Sequence, residues 1–179
     1  MRNQIIGTLV AALILFFWQF LSWGLIGIHG NEMSYTPKQD SIIQFLSQNL
    51  EEGSYYLPTI RPGATAEEME AAMTEAVGKP WAMVSYHDAL EYNMGLNLIR
   101  GFFIDVIAAF LLIWILLKFE NLTFSLAVMT SLAVGFIGYL AFPYLNSVWF
   151  ASDSFPYLID AVVQWGLVGG WLGWYLTKR

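Results

Sequence analysis

The chain has no cysteine and only two histidines in 179 residues, and charged side chains make up just 12% of it. Without thiols there is no disulfide, no thiolate metal centre and no cysteine nucleophile. Neither a GxSxG turn nor a glycine loop ending in lysine is present, so serine-hydrolase and phosphate-cradle chemistry have no motif to rest on. Eight bases stand against 14 acids, a net charge of −6, so nucleic acid is not an expected partner. Enzyme is the weakest class, and no cofactor is expected.

What the chain has in quantity is apolar surface: 57% of its residues are hydrophobic and 17% aromatic. A soluble domain rarely carries so much, whereas a bilayer solvates it readily. Four runs approach the roughly 20 residues that a membrane crossing needs. The expected fold is an all-α transmembrane four-helix bundle with a small α/β extracytoplasmic domain between helices 1 and 2. The spans are expected at 1–28, 97–118, 122–143 and 158–177, with the external domain at 29–96 and an external loop at 144–157. The first run is too long for a signal-peptide core, and "GLIGIHGNEM" lacks a small-x-small cleavage site, so it reads as an uncleaved signal anchor.

Basic residues orient the chain. Arg2, Lys118, Lys178 and Arg179 fall on one side if all four runs span. Residues 29–99 on the other side hold ten acids against three bases, a net of −7. By the positive-inside rule both termini are cytoplasmic, and residues 29–96 face the periplasm of a bacterial inner membrane.

Within the external segment, "TPKQDSIIQFLSQNLEEG" has Ile42, Ile43, Leu46 and Leu50 at helical spacing, and Gly53 follows. "YYLPTI" is a strand that Pro58 confines to an edge. "TAEEMEAAMTEAVG" opens with a Thr65–Glu68 capping box. "WAMVSYH" alternates as a second strand. The acids are expected to be solvated helix faces first; a basic soluble partner is the sharper alternative.

Inside the runs, polar groups carry the functional hints. Asp105 lies about one turn into the second span, Asp160 and Gln164 form an i, i+4 pair in the fourth, and Gln19 and Ser22 sit in the first. All are expected to meet near the outer face, with Arg100 neutralising an aspartate. One reading is an Arg–Asp lock that keeps the helices in register; the other is a cation- or proton-binding carboxylate pair. Gly166, Gly169, Gly170 and Gly173 of the fourth run, with Ser131, Gly135 and Gly138 of the third, mark close helix packing, within the chain or against other membrane subunits and lipid.

His29 and His87 both fall on the outer side. With Asp88 or Glu91 they are the weak candidates for a zinc or copper site, although their spacing matches no metal motif. The stretch "SYHDALEYNMGLNLIRGFFID" reads as the stem of the second span, with Asp88 as its N-cap and Glu91 three residues on.

"GSYYLP" at 53–58 and Pro80, Ala82 and Tyr86 of "PWAMVSY", after the aromatic first run "GTLVAALILFFWQFLSW", carry a resemblance. The chain resembles a loose group of small bacterial inner-membrane proteins with four helices and an external domain after the first. That resemblance implies topology and brings no function. The leading functional expectation is a non-catalytic accessory or assembly subunit of a larger envelope membrane complex. The alternative is a small homo-oligomeric transporter or channel with an outer-facing carboxylate site.

Overall fold

The structure, a computed structural model, describes residues 2–178, with side chains from Gln4 onward. Arg179 and the Arg2 side chain, both used to orient the chain, lie outside the described residues.

The protein is mostly helical, with one two-stranded sheet. Its helices are α1 (Arg2–Phe20), α2 (Gln39–Asn49), α3 (Ala66–Ala76), α4 (Met94–Leu116), α5 (Phe124–Tyr139), α6 (Leu145–Phe150) and α7 (Phe155–Thr177); its strands are β1 (Gly53–Leu57) and β2 (Ala82–Tyr86). Two compact units result. One comprises 1–34 and 93–179, the other residues 35–92.

Among the described residues three helices are long and apolar enough to cross a membrane: Gln4–Leu25, Met94–Leu116 and Phe124–Phe150. The expected fourth, α7, has the length, with 23 residues, but Asp160, Gln164, four glycines and three tryptophans dilute its apolar character. In the first unit α1 packs on α4 and on α7, and α7 packs on α5. Ala11, Ala12 and Leu15 of α1 meet Leu112, Ile113 and Leu116 of α4, and Val168 and Leu172 of α7, in one buried cluster. Outward, Phe103, Ile104, Ile107, Phe110 and Trp114 of α4 are exposed, the surface expected where lipid rather than water is the solvent.

Two expected boundaries move. The second span starts at Met94, not in the Asp88 stem: Asn93 is the N-cap, its side chain accepting from Leu96 N–H at 3.0 Å. Residues 88–92 are exposed, Leu90 at 91%. The expected loop at 144–157 is largely helical. Pro143 lacks an N–H, and a π turn over Leu140–Tyr144 absorbs the missing bond, so the helix continues through α6. Ala151, at φ 50°, then ends it.

The unit 35–92 has the expected helix–strand–helix–strand order. The strands pair antiparallel, Gly53 opposite Tyr86 and Leu57 opposite Ala82. The capping box is present: Thr65 Oγ1 accepts from Glu68 N–H at 3.2 Å, and Glu68 Oε2 from Thr65 N–H at 2.8 Å. Yet only Tyr86 in this unit is buried, while Ile43, Phe45, Met73 and Met83 stay exposed.

Candidate functional site

The end of the first helix is shaped for side-chain contact. It widens to a π turn over Leu21–Leu25, where Ile26 N–H donates to Leu21 O at 2.8 Å. Such insertions recur at functional sites because they re-aim the side chains on either side. Gly27, at φ 69°, then reverses the chain, a conformation that costs glycine little. His29 folds back onto Trp23, their rings stacked 4.0 Å apart and within 3° of parallel. A 3₁₀ turn over Gly30–Met33 follows and carries Glu32.

Asp160 of α7 receives this turn. Its Oδ1 accepts from Trp18 Nε1–H at 2.9 Å and from Ser22 Oγ–H at 2.6 Å, and its Oδ2 lies 2.9 Å from His29 Nε2. The other ring nitrogen, Nδ1, is 2.8 Å from Glu32 Oε1. Tyr157, one turn before Asp160 on α7, donates its hydroxyl to Glu32 Oε2 at 2.6 Å. His29, at 1% exposure, is therefore clamped between two carboxylates. A neutral imidazole has one N–H and would turn a lone pair toward one of them; only the doubly protonated ring donates to both. Burial opposes that charge, but the hydrogen bonds and charges of Glu32 and Asp160 outweigh it and raise the His29 pKa above its ordinary 6.5.

The other polar residues expected to meet do so in part. Gln19 Nε2–H donates to Asp105 Oδ1 at 2.9 Å, while Asp105 Oδ2 is buried without a partner. Arg100 does not join them. It is exposed, and none of the ion pairs among the described residues includes it. Five residues at 3.6 per turn put Arg100 and Asp105 about 140° apart on α4, so the expected lock cannot form along the helix. Gln164 Oε1 is buried and unpartnered. It borders a cavity of about 300 Å³ whose walls also include Gln19, Trp23, Tyr139, Asp160 and Trp165.

The glycines are used within the chain. A side chain on Gly169 would meet Ser131 Cβ at 2.8 Å and the Val128 backbone at 2.9 Å; one on Gly173 would meet Phe124 at 2.9 Å. Gly135 faces Trp165 more closely still, and Gly166 has Leu132 at 3.6 Å. Two of the small residues expected to pack, Gly170 and Gly138 of the third run, face open space instead. The others let α5 and α7 approach one another.

His29 and His87 belong to different units. The exposed His87 pairs with Glu52 at 3.0 Å through Nδ1 and with Ser85 Oγ at 3.3 Å through Nε2. Among the described residues no group of three His, Asp or Glu side chains is placed to hold a metal ion. The two carboxylates on His29 lie at opposite edges of its ring, so they do not converge on one point. Ser22 gives its proton to Asp160 rather than to His29.

Trp18, Glu32 and Tyr157 were not singled out by the sequence. The available signal was spacing: Glu32 stands three residues after His29, and Tyr157 three before Asp160.

No protein-family model, no curated protein and no solved structure matches the chain.

Proposed function

We propose that the protein is a non-catalytic accessory or assembly subunit of a larger bacterial envelope membrane complex. One observation carries this reading: the unit 35–92 buries a single residue, Tyr86, and leaves its apolar side chains and both edges of its two-stranded sheet open. A two-stranded sheet is marginal alone, and open edges and apolar faces are what a partner covers. The unit holds nine acids against three bases, so a basic partner surface complements it. The three contacts on Asp160 and the engagement of both His29 nitrogens fit a structural clamp better than a reacting centre.

In this reading α7 is a fourth span that completes the bundle, both termini are cytoplasmic, and residues 29–96 are periplasmic. Because the chain has no cysteine, single-cysteine variants report orientation directly. Ser54→Cys should react with an impermeant maleimide on intact spheroplasts and Glu120→Cys should not.

The decisive experiment is mild-detergent extraction of the tagged native protein, followed by quantitation of everything that co-elutes in fixed ratio. A stoichiometric foreign subunit is the expected result; a pure homo-oligomer would overturn the reading. The second reading, a homo-oligomeric transporter or channel, draws on the cavity beside Asp160 and Gln164, and such an oligomer would favour it.

A further inference from the structure

The cavity beside Asp160 has a chemical bias that the helix packing does not require. Its volume, about 300 Å³, is that of roughly ten water molecules, too small for a bulky substrate and ample for a small polar head. Hydrogen-bond acceptors lead its polar lining. Gln164 Oε1 is buried with no donor, Asp160 adds its carboxylate, and Gln19 gives one of its two amide hydrogens to Asp105 and keeps its carbonyl. The Tyr157 hydroxyl hydrogen is already given to Glu32, and Tyr139 is paired with Ser154. Trp23, Tyr139 and Trp165 add aromatic rings to the wall, which small residues and Pro143 complete.

The charge is unbalanced in the same direction. Even with both ring nitrogens protonated, His29 supplies one positive charge between two carboxylates, Asp160 and Glu32, which leaves the cluster at −1. No lysine or arginine makes up the difference. Among the described residues their ion pairs are Arg61–Glu68 and Lys79–Glu75, both in the other unit. An unpartnered carbonyl, a carboxylate, aromatic faces and surplus negative charge together describe a receptor for a nitrogen cation. A bare divalent ion would instead need converging oxygen ligands, and the described residues offer no such group.

We propose that this cavity binds an ammonium group, held by Gln164 Oε1 and the Asp160 carboxylate and faced by the rings of Trp23, Tyr139 and Trp165. The inference stands on the cavity alone and is independent of whether the chain serves a larger complex. Such a group could arrive on a free amine or on the head of an ethanolamine or choline lipid.

Trp23 and Trp165 make the test optical. The full-length protein in lipid-free detergent is titrated with ethanolamine hydrochloride and with choline chloride, against sodium chloride at equal ionic strength, while tryptophan fluorescence is read. A saturable change with either amine and none with sodium is expected. Gln164→Leu should weaken binding roughly tenfold, the loss of one hydrogen bond to a charged group. Gln164→Glu, which restores an acceptor and adds charge, should bind at least as tightly as the native protein, and it keeps the test valid if the leucine variant fails to fold. The titration is repeated in nanodiscs of phosphatidylglycerol alone and in nanodiscs containing phosphatidylethanolamine. If the second lipid abolishes the response to free ethanolamine, the occupant is a lipid head; an equal response in both discs makes it a free amine. No response beyond that of sodium, or native binding by both Gln164 variants, would overturn the proposal.

Discussion

Asp160 and His29, 131 residues apart in the chain, meet through Oδ2 and Nε2 at 2.9 Å and join α7 to the turn that follows the first helix. The contact is buried, and the same carboxylate also takes the Trp18 and Ser22 donors. Asp160→Asn keeps the shape but removes the charge that His29 faces. Loss of one member of a buried charged pair typically costs about 3 kcal/mol. For a chain of this size that corresponds to a fall of roughly 6–12 °C in Tm. Thermal denaturation in detergent measures it; an unchanged Tm would mean that the clamp contributes nothing to the fold.

The same clamp gives stability a pH dependence with a definite sign. His29 has its pKa raised above 6.5 by Glu32 and Asp160, against the effect of burial. Its folded form binds the proton more tightly than the unfolded chain does, so the contribution is complete below 6.5 and is lost as pH rises through the higher folded value. Tm should therefore be higher at pH 6 than at pH 9, and His29→Gln should flatten that difference. A native profile that rises with pH over the same range, or one that His29→Gln leaves unaltered, would contradict this.

Local rules were legible wherever a short stretch of chain decides the outcome. The Thr65–Glu68 capping box is such a case, as are the two strands flanking α3, because a cap or an alternation is complete within a few residues. The start of α4 was not, since Asp88 and Asn93 are both good cap residues. What separates them is the cap bond itself, which Asn93 makes to Leu96 N–H and which only the folded chain reveals. The site divides in the same way. Polar residues in apolar runs pointed to Gln19, Ser22, Asp105, Asp160 and Gln164. Trp18 and Tyr157 gave no such signal, because their roles depend on contacts across 142 and 125 residues. Arg100 and Asp105 were paired by charge alone, and helix geometry then separated them.

Close approach of α5 and α7 should make two neighbouring glycines respond in opposite ways. A methyl group on Gly169 would lie 2.8 Å from Ser131 Cβ and 2.9 Å from the Val128 backbone, and backbone cannot step aside cheaply. Gly169→Ala should cost about 1–3 kcal/mol, the usual penalty of overpacking. Nothing stands near a methyl on Gly170, so Gly170→Ala should be neutral or slightly stabilising through helix propensity. Paired unfolding measurements would check the contrast. A large loss at Gly170 would place a partner on that open face.

The pairing of Asp105 is the last point that measurement can decide. Gln19 donates to its Oδ1 at 2.9 Å, whereas Arg100 is exposed and forms no ion pair among the described residues. A double-mutant cycle on Gln19→Leu and Asp105→Leu should show a coupling of about 1–2 kcal/mol, since the two share a buried hydrogen bond. The matching cycle on Arg100→Leu and Asp105→Leu should close to within about 0.5 kcal/mol, the additivity expected of side chains with no common partner. If the second cycle showed the larger coupling, the salt lock read from charge alone would be restored. The carboxylate would then be held by α4 itself instead of tying α4 to α1.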